Sequence, residues 1–237
     1  MEGDTPSFLG LINNGLSAYQ RPDWGGWGGR YVFLQPYGET HPLWSQGGNE
    51  ITRSGSRDAV TGIDGRVHVS DQATIWRWRE AYQNDFAARM EWTIKDYAHA
   101  NHNPVVVVNG MAGTAPLEME VDAGRTLTLD TAGTTDPDGQ ALTYKWFAYP
   151  EAGLTGTHGA EVTIPGDDRP VVRVTAKSAC RPTWPSPPRG AAACATVGVM
   201  HIILAVTDNG WPRLTSYRRI ILRVNPASEP NQGKADR

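Results

Sequence analysis

The sequence predicts an α+β chain of more than one domain, a helical portion over residues 1–100 followed by an all-β sandwich over 104–226. Three observations carry this. Apolar residues recur at helical steps between Ile75 and Ile94. After Pro104 the periodicity changes to strict alternation. Seven or eight short alternating runs then follow one another with turn signals between them, the pattern of a sandwich.

Asp4-Thr5-Pro6 opens the first helix, pairing a capping residue with proline at an early helical position. Phe8, Leu11, Ile12 and Leu16 continue at helical spacing, and Gly15 marks the end. Residues 20–70 read as irregular. Trp24-Gly25-Gly26-Trp27-Gly28-Gly29-Arg30-Tyr31 cannot be a regular helix, because glycine loses too much backbone entropy there. The strongest helix spans residues 71–96, with Ile75, Trp78, Tyr82, Phe86, Met90 and Ile94 as one apolar stripe. A stripe that wide needs a partner surface. No parallel-sheet strands precede it, so the expected partner is a β-layer that this polypeptide does not encode.

His99 to Pro104 reads as a linker. Strands are expected near 104–109, 117–121, 125–130, 141–149, 160–164, 170–176, 199–207 and 215–225. Met200, Ile202, Leu204 and Val206 share a face, as do Ile220, Leu222 and Val224, while Tyr217, Arg219 and Arg223 lie on the opposite face of the last strand. Asp136-Pro137-Asp138-Gly139 and Asp208-Asn209-Gly210 are turns. Residues 177–198, rich in Pro and Ala, read as an insertion, and residues 227–237 as a disordered tail.

Net charge is −3, which supplies no electrostatic footprint for nucleic acid or an anionic membrane. No apolar run reaches the roughly 18 residues of a membrane span. Met1-Glu2-Gly3-Asp4 lacks the basic and apolar regions of a signal peptide. Cys180 and Cys194 are two thiols or one small disulfide loop. The six histidines show no zinc-site spacing. Nine tryptophans stand out, six of them before residue 100. Burial is the usual role of such side chains, and stacking on sugar rings is the functional alternative.

Glu2 to Leu9, Trp24 to Tyr31, and Thr74 to Arg79 running into Gln83 to Met90 resemble the cellulose-binding protein family with a nucleoside hydrolase-like domain. Leu129 to Tyr149 and His201 to Val224 resemble that family's C-terminal immunoglobulin-like domain. The resemblance implies that residues 1–100 are the C-terminal part of a longer α/β hydrolase-like domain. Its parallel sheet and aspartate cluster would precede this chain, which is therefore expected to be truncated and catalytically incomplete. The resemblance also implies export and, in full-length relatives, a calcium ion. Asp4, with Glu2 beside it, would ligate that ion only in an intact site. No catalytic residue is assigned and no cofactor is expected in this chain.

Trp24, Trp27 and Tyr31, on a glycine-rich loop, and Trp211, in a turn, are the candidate sugar-binding residues. Asp136, Asp138 and Asp208 could hold calcium at one end of the sandwich, against the commoner role of closing turns through side chain–backbone hydrogen bonds. Three functions follow. The first is binding of cellulose or a related polysaccharide. The second is hydrolysis of N-glycosidic or related bonds by a full-length form. The third is a sandwich that only supports the hydrolase-like domain.

Overall fold

The computed structural model describes residues 4–16, 21–33, 44–45, 56–152, 158–179 and 196–227. It is mostly β-sheet with few helices. The expected insertion at 177–198 and tail at 227–237 fall largely outside the described residues, as do Cys180 and Cys194.

In the first hundred residues, α1 spans Asp4–Leu11, β1 (Val32–Phe33) pairs with β2 (Trp44–Ser45), and β3 (Asp58–Thr61) pairs with β4 (Val67–Ser70). The stretch read as irregular therefore contains a hairpin. Two short helices follow, α2 (Ala73–Trp76) and α3 (Arg79–Glu91). Next come β5 (Val107–Val108), β6 (Met111–Ala112), β7 (Leu117–Asp122), β8 (Thr126–Asp130), β9 (Thr143–Tyr149) and β10 (His158–Gly159). The chain closes with β11 (Glu161–Thr163), β12 (Val171–Ser178), β13 (Gly198–Thr207) and β14 (Thr215–Asn225). The larger sheet runs β10-β13-β14-β7, with β9 also pairing β13, and the smaller runs β11-β12-β8.

Alternation puts one face of each sheet into a common core. Leu129, Val172 and Val174 from the small sheet meet Trp146, Ile202, Leu204, Ile220 and Leu222 from the large one. The Trp146 indole donates to the Arg169 carbonyl at 2.9 Å, so burial leaves no polar atom of that ring unpaired.

The opposite face of the large sheet is covered as well. Leu9, Leu16, Trp27 and Trp78 pack with Tyr149, Ile203 and Tyr217 in a second core. Trp78 stands edge-on to Tyr149 at 6.0 Å and to Tyr217 at 5.7 Å. The loop after α1 lies along β14, where the Tyr217 N–H donates to the Asn14 carbonyl at 2.9 Å. A side chain on Gly15 would overlap the Tyr217 carbonyl, and its φ of 90° also suits glycine.

The start of the amphipathic segment, at Trp78, Ala81 and Tyr82, packs on the outer face of the chain's own large sheet. The segment is also two helices rather than one, broken at Arg77 and Trp78. Trp78, Ala81, Tyr82, Asp85 and Ala88 turn inward, whereas Phe86, Met90 and Ile94 are 56%, 50% and 83% exposed. The geometry of the helix explains this. Successive steps of four drift about 40° around the axis, so Tyr82, Phe86, Met90 and Ile94 walk off the buried face. Steps alternating between three and four, as in Trp78, Ala81, Asp85 and Ala88, stay on it. Phe86→Ser is accordingly expected to change stability by less than about 0.5 kcal/mol in urea unfolding, as for a surface site. A loss of about 2 kcal/mol or more would put Phe86 in a core instead.

Candidate functional site

Strand register builds the outer face of the large sheet in rows. Thr143, Thr207 and Thr215 form one row, Lys145, Ala205 and Tyr217 the next, then Phe147, Ile203 and Arg219, then Tyr149, His201 and Ile221. The last row, with Ile203 and Arg219 of the row before it, is buried under the first hundred residues. Beside them Ala205, Thr207 and Thr215 are short and leave space between the sheet and α3. The result is a groove of about 600 Å³. Its floor carries Phe147 and Tyr217, one wall is β3, and the other is Arg77, Trp78, Glu80 and Asn84. Lys145 and Arg213 stand at its edge, Lys145 paired with Asp167. Half-buried Phe147 is backed by Trp78 at 6.0 Å, with the Arg77 guanidinium 5.9 Å from its ring centre.

A buried polar centre holds that wall in place. Asp58 is fully buried, and its carboxylate accepts from Arg30 Nε at 3.0 Å, Arg77 Nη1 at 2.8 Å and the Tyr149 hydroxyl at 2.6 Å. Burial, and then the Asp58 charge, pushes the Tyr149 phenol well above its usual range, so it is a neutral donor. Deeper under the cover, Arg219 donates to the carbonyls of Leu16 and Gly25, the latter at 2.7 Å, and to His201 Nδ1 at 2.8 Å. A guanidinium can only donate, so Nδ1 is the acceptor and the His201 proton resides on Nε2. Burial and the adjacent Arg219 charge push His201 down to about 3.

The residues read from the sequence as sugar-binding are dispersed. Trp27 is 1% exposed and donates to the Tyr217 hydroxyl at 3.4 Å. It is a core side chain with no face for a ligand, a correction whose cause is the folding of the glycine-rich loop onto the sheet. Trp24 is edge-on to His201 at 5.4 Å, with the Arg21 and Arg219 guanidiniums 4.7 and 5.8 Å from its ring centre. Its π surface is engaged within the protein. Tyr31 is half-buried, and burial raises its phenol. Trp211 is 84% exposed, in the turn whose Arg213 reaches the groove. Of the four, its ring is the one open to a ligand.

Asp4 opens α1, and Glu2 lies outside the described residues. Asp136 accepts from the N–H groups of Asp138 and Gln140 at 2.8 and 3.1 Å. Asp138 takes the His102 N–H at 2.7 Å, and Asp208 takes those of Gly210 and Leu214, each at 3.0 Å. Asp136 and Asp208 close turns through backbone hydrogen bonds, and Asp138 ties the segment at His102 to its turn. Among the described residues, no three His, Cys, Asp or Glu are grouped to hold a metal ion.

Sequence reasoning missed Phe147, Arg77, Glu80 and Lys145 as groove residues, and Asp58, Arg30, Tyr149 and Arg219 as buried polar ones. One signal was available: Lys145 and Phe147 alternate with the core residue Trp146, which puts them on the outer face. Nothing local announces Arg30 or Asp58.

Fold and groove together define a β-sandwich carrying an open, aromatic-floored surface site of the kind that suits an extended polar ligand. Residues 126–224 match the family model for the C-terminal domain of the cellulose-binding protein Sde0182. Residues 1–31 match that for the nucleoside hydrolase-like domain of cellulose-binding Sde182. In both portions the chain is thus similar to the family that its motifs resemble. Among solved structures it is similar to a nucleoside hydrolase-related hypothetical protein from Saccharophagus degradans that is associated with carbohydrate metabolism. Identity is 32% and the TM-score 0.66, over 95% of this chain and 48% of that one. The chain therefore spans about half the length of that protein. The PKD domain of human KIAA0319 also matches, at 12% identity and a TM-score of 0.31, over 59% of this chain and 96% of that one. No curated protein sequence matches.

Proposed function

We propose that this chain binds a polysaccharide, cellulose or a related plant glycan, along the groove between α3 and the large sheet. The observation that carries the reading is the groove itself: an aromatic floor at Phe147, flanked by polar Glu80, Asn84 and Thr207. Trp211, exposed, lies two residues from the groove residue Arg213 in the chain. Flat rings suit the C–H faces of a pyranose, and the polar rim suits its hydroxyls. The matches to cellulose-binding family models support the ligand class. In this reading the protein works outside the cell, and the chain contributes binding rather than bond cleavage. No helix among the described residues is long and apolar enough to cross a membrane.

Pull-down on insoluble cellulose tests it. Trp211→Ala and Phe147→Leu each remove one ring, the second while keeping an apolar side chain against Trp78. Each is expected to weaken retention roughly tenfold, the equivalent of about 1.4 kcal/mol. Wild-type-like retention by both variants would refute the groove. A second reading, in which the sandwich only supports the hydrolase-like portion, is favoured by the shared core of Leu9, Trp27, Trp78 and Tyr217. It predicts that the wild-type chain does not bind the polymer at all.

A further inference from the structure

The end of α1, the helix α3 and the segment entering the sandwich enclose a cavity of about 270 Å³. Each wall is fixed from within. The Tyr217 N–H donates to the Asn14 carbonyl at 2.9 Å and holds the end of α1. Val105 and Thr135 exchange both backbone hydrogen bonds, at 2.8 and 3.1 Å, and hold the entering segment. Buried Trp78 and Ala88 hold α3. The cavity is therefore built before any ligand arrives.

Its lining has two characters. Ile12, Val105 and Val106 present apolar surface. Asn103, Thr114 and Ser216 present a neutral amide and two hydroxyls, whose side chains make no hydrogen bond to the described residues. Asp85 and Arg89, one turn apart on α3, supply opposite charges that cancel. Arg89 Nε donates to Asp85 Oδ2 at 2.6 Å, whereas Nη2 reaches Oδ1 only at 3.5 Å. Oδ1 thus keeps lone pairs for another donor. The Arg89 guanidinium lies 5.4 Å from the Trp92 ring centre, a second contact that steadies it.

This combination selects a ligand class. An ion finds no uncancelled charge here. A hydrocarbon would strip water from the amide, the hydroxyls and the ion pair and return no hydrogen bonds. A neutral sugar ring satisfies both characters. Its C–H face lies on the apolar surface, and its hydroxyls, each donor and acceptor, pair with the polar groups. The volume falls near the lower end of ordinary ligand pockets, about 300 Å³, so it suits one ring rather than a strand of polymer.

We propose that this cavity binds a neutral monosaccharide, or the terminal ring of an oligosaccharide, through Asp85, Arg89, Asn103, Thr114 and Ser216. Of their described lining residues, the cavity and the groove share Tyr217 alone. The cavity is thus a second site, and it does not depend on polymer being held in the groove.

Ligand-observed saturation-transfer NMR on the full chain tests this, with D-glucose, D-xylose and cellobiose as probes and D-mannitol as the open-chain control. Saturable transfer to at least one sugar, and none to mannitol, is expected. Thr114→Val with Ser216→Ala should raise the Kd for that sugar at least tenfold. Asn103→Ala provides a second variant should the first not fold, and should raise the Kd in the same direction. Phe147→Leu and Trp211→Ala should leave the Kd unchanged. Sugar binding that persists while wild-type retention on cellulose fails would refute the groove and uphold the cavity. No transfer to any sugar, or equal transfer to mannitol, would overturn the site. So would binding that survives the cavity substitutions and is lost in Phe147→Leu, which would put the sugar in the groove.

Discussion

Asp58→Ala is expected to destabilise the protein by about 3–5 kcal/mol, the range seen when one partner of a buried ion pair is removed. The carboxylate is the common acceptor for Arg30, Arg77 and Tyr149. Without it, two guanidiniums and a phenol stay buried beneath the loop and helices that cover the sheet. Asp58→Asn retains one acceptor oxygen and should lose less. Urea unfolding followed by tryptophan fluorescence reads this directly, since Trp78 lies 5.0 Å from the Arg77 guanidinium and 6.0 Å from Tyr149. A midpoint close to wild type for Asp58→Ala would mean that both arginines reach water when the carboxylate is gone. Because Arg77 and the neighbour Ala59 line the groove, the same substitution should also weaken cellulose retention.

Acid should unfold the protein through His201. Its imidazole titrates near 6.5 when free and is held down at about 3 in the folded state, chiefly by burial and then by Arg219. Burial also lowers Arg219, to about 9, so it is still a cation at neutral pH. Protonating His201 would remove the acceptor of a 2.8 Å hydrogen bond and set two cations side by side. The sign follows. Above pH 6.5 the imidazole is neutral in both states and the full stability is present. As pH falls from 6.5 towards 3 the unfolded chain takes up a proton that the folded one refuses, and stability falls. The slope is roughly 1.4 kcal/mol per pH unit, or on the order of 4 kcal/mol across the window. His201→Gln keeps an acceptor for Arg219 and does not titrate. Urea midpoints between pH 6.5 and 5, above the usual carboxylate range, should fall for the wild type and stay level for the variant. Parallel profiles would dissociate acid unfolding from His201.

How far each feature was legible depends on the range of the interaction that sets it. The eight expected sandwich strands fall on observed strands or bridges, with Met200, Ile202, Leu204, Ile220 and Leu222 inward as the alternation requires. The turns at Asp136 and Asp208 form through the hydrogen bonds their composition implies. Trp211 is exposed as expected for a turn residue, and Trp146 is buried between the sheets. The groove was not visible in advance. It arises where Lys145, Ala205 and Tyr217 come into one row, a matter of register between distant strands.

The sequence by itself determined the sandwich, its faces and its turns, because period-two patterning and side chain–backbone hydrogen bonds act between neighbours in the chain. Only the tertiary structure decided what covers the outer face of the sheet, and therefore which tryptophans are core and which is free. That choice rests on bonds such as Tyr149 to Asp58, 91 residues apart, and Arg219 to Leu16, 203 residues apart. A buried charge is stable only beside a particular partner, and no local pattern in the chain specifies that partner.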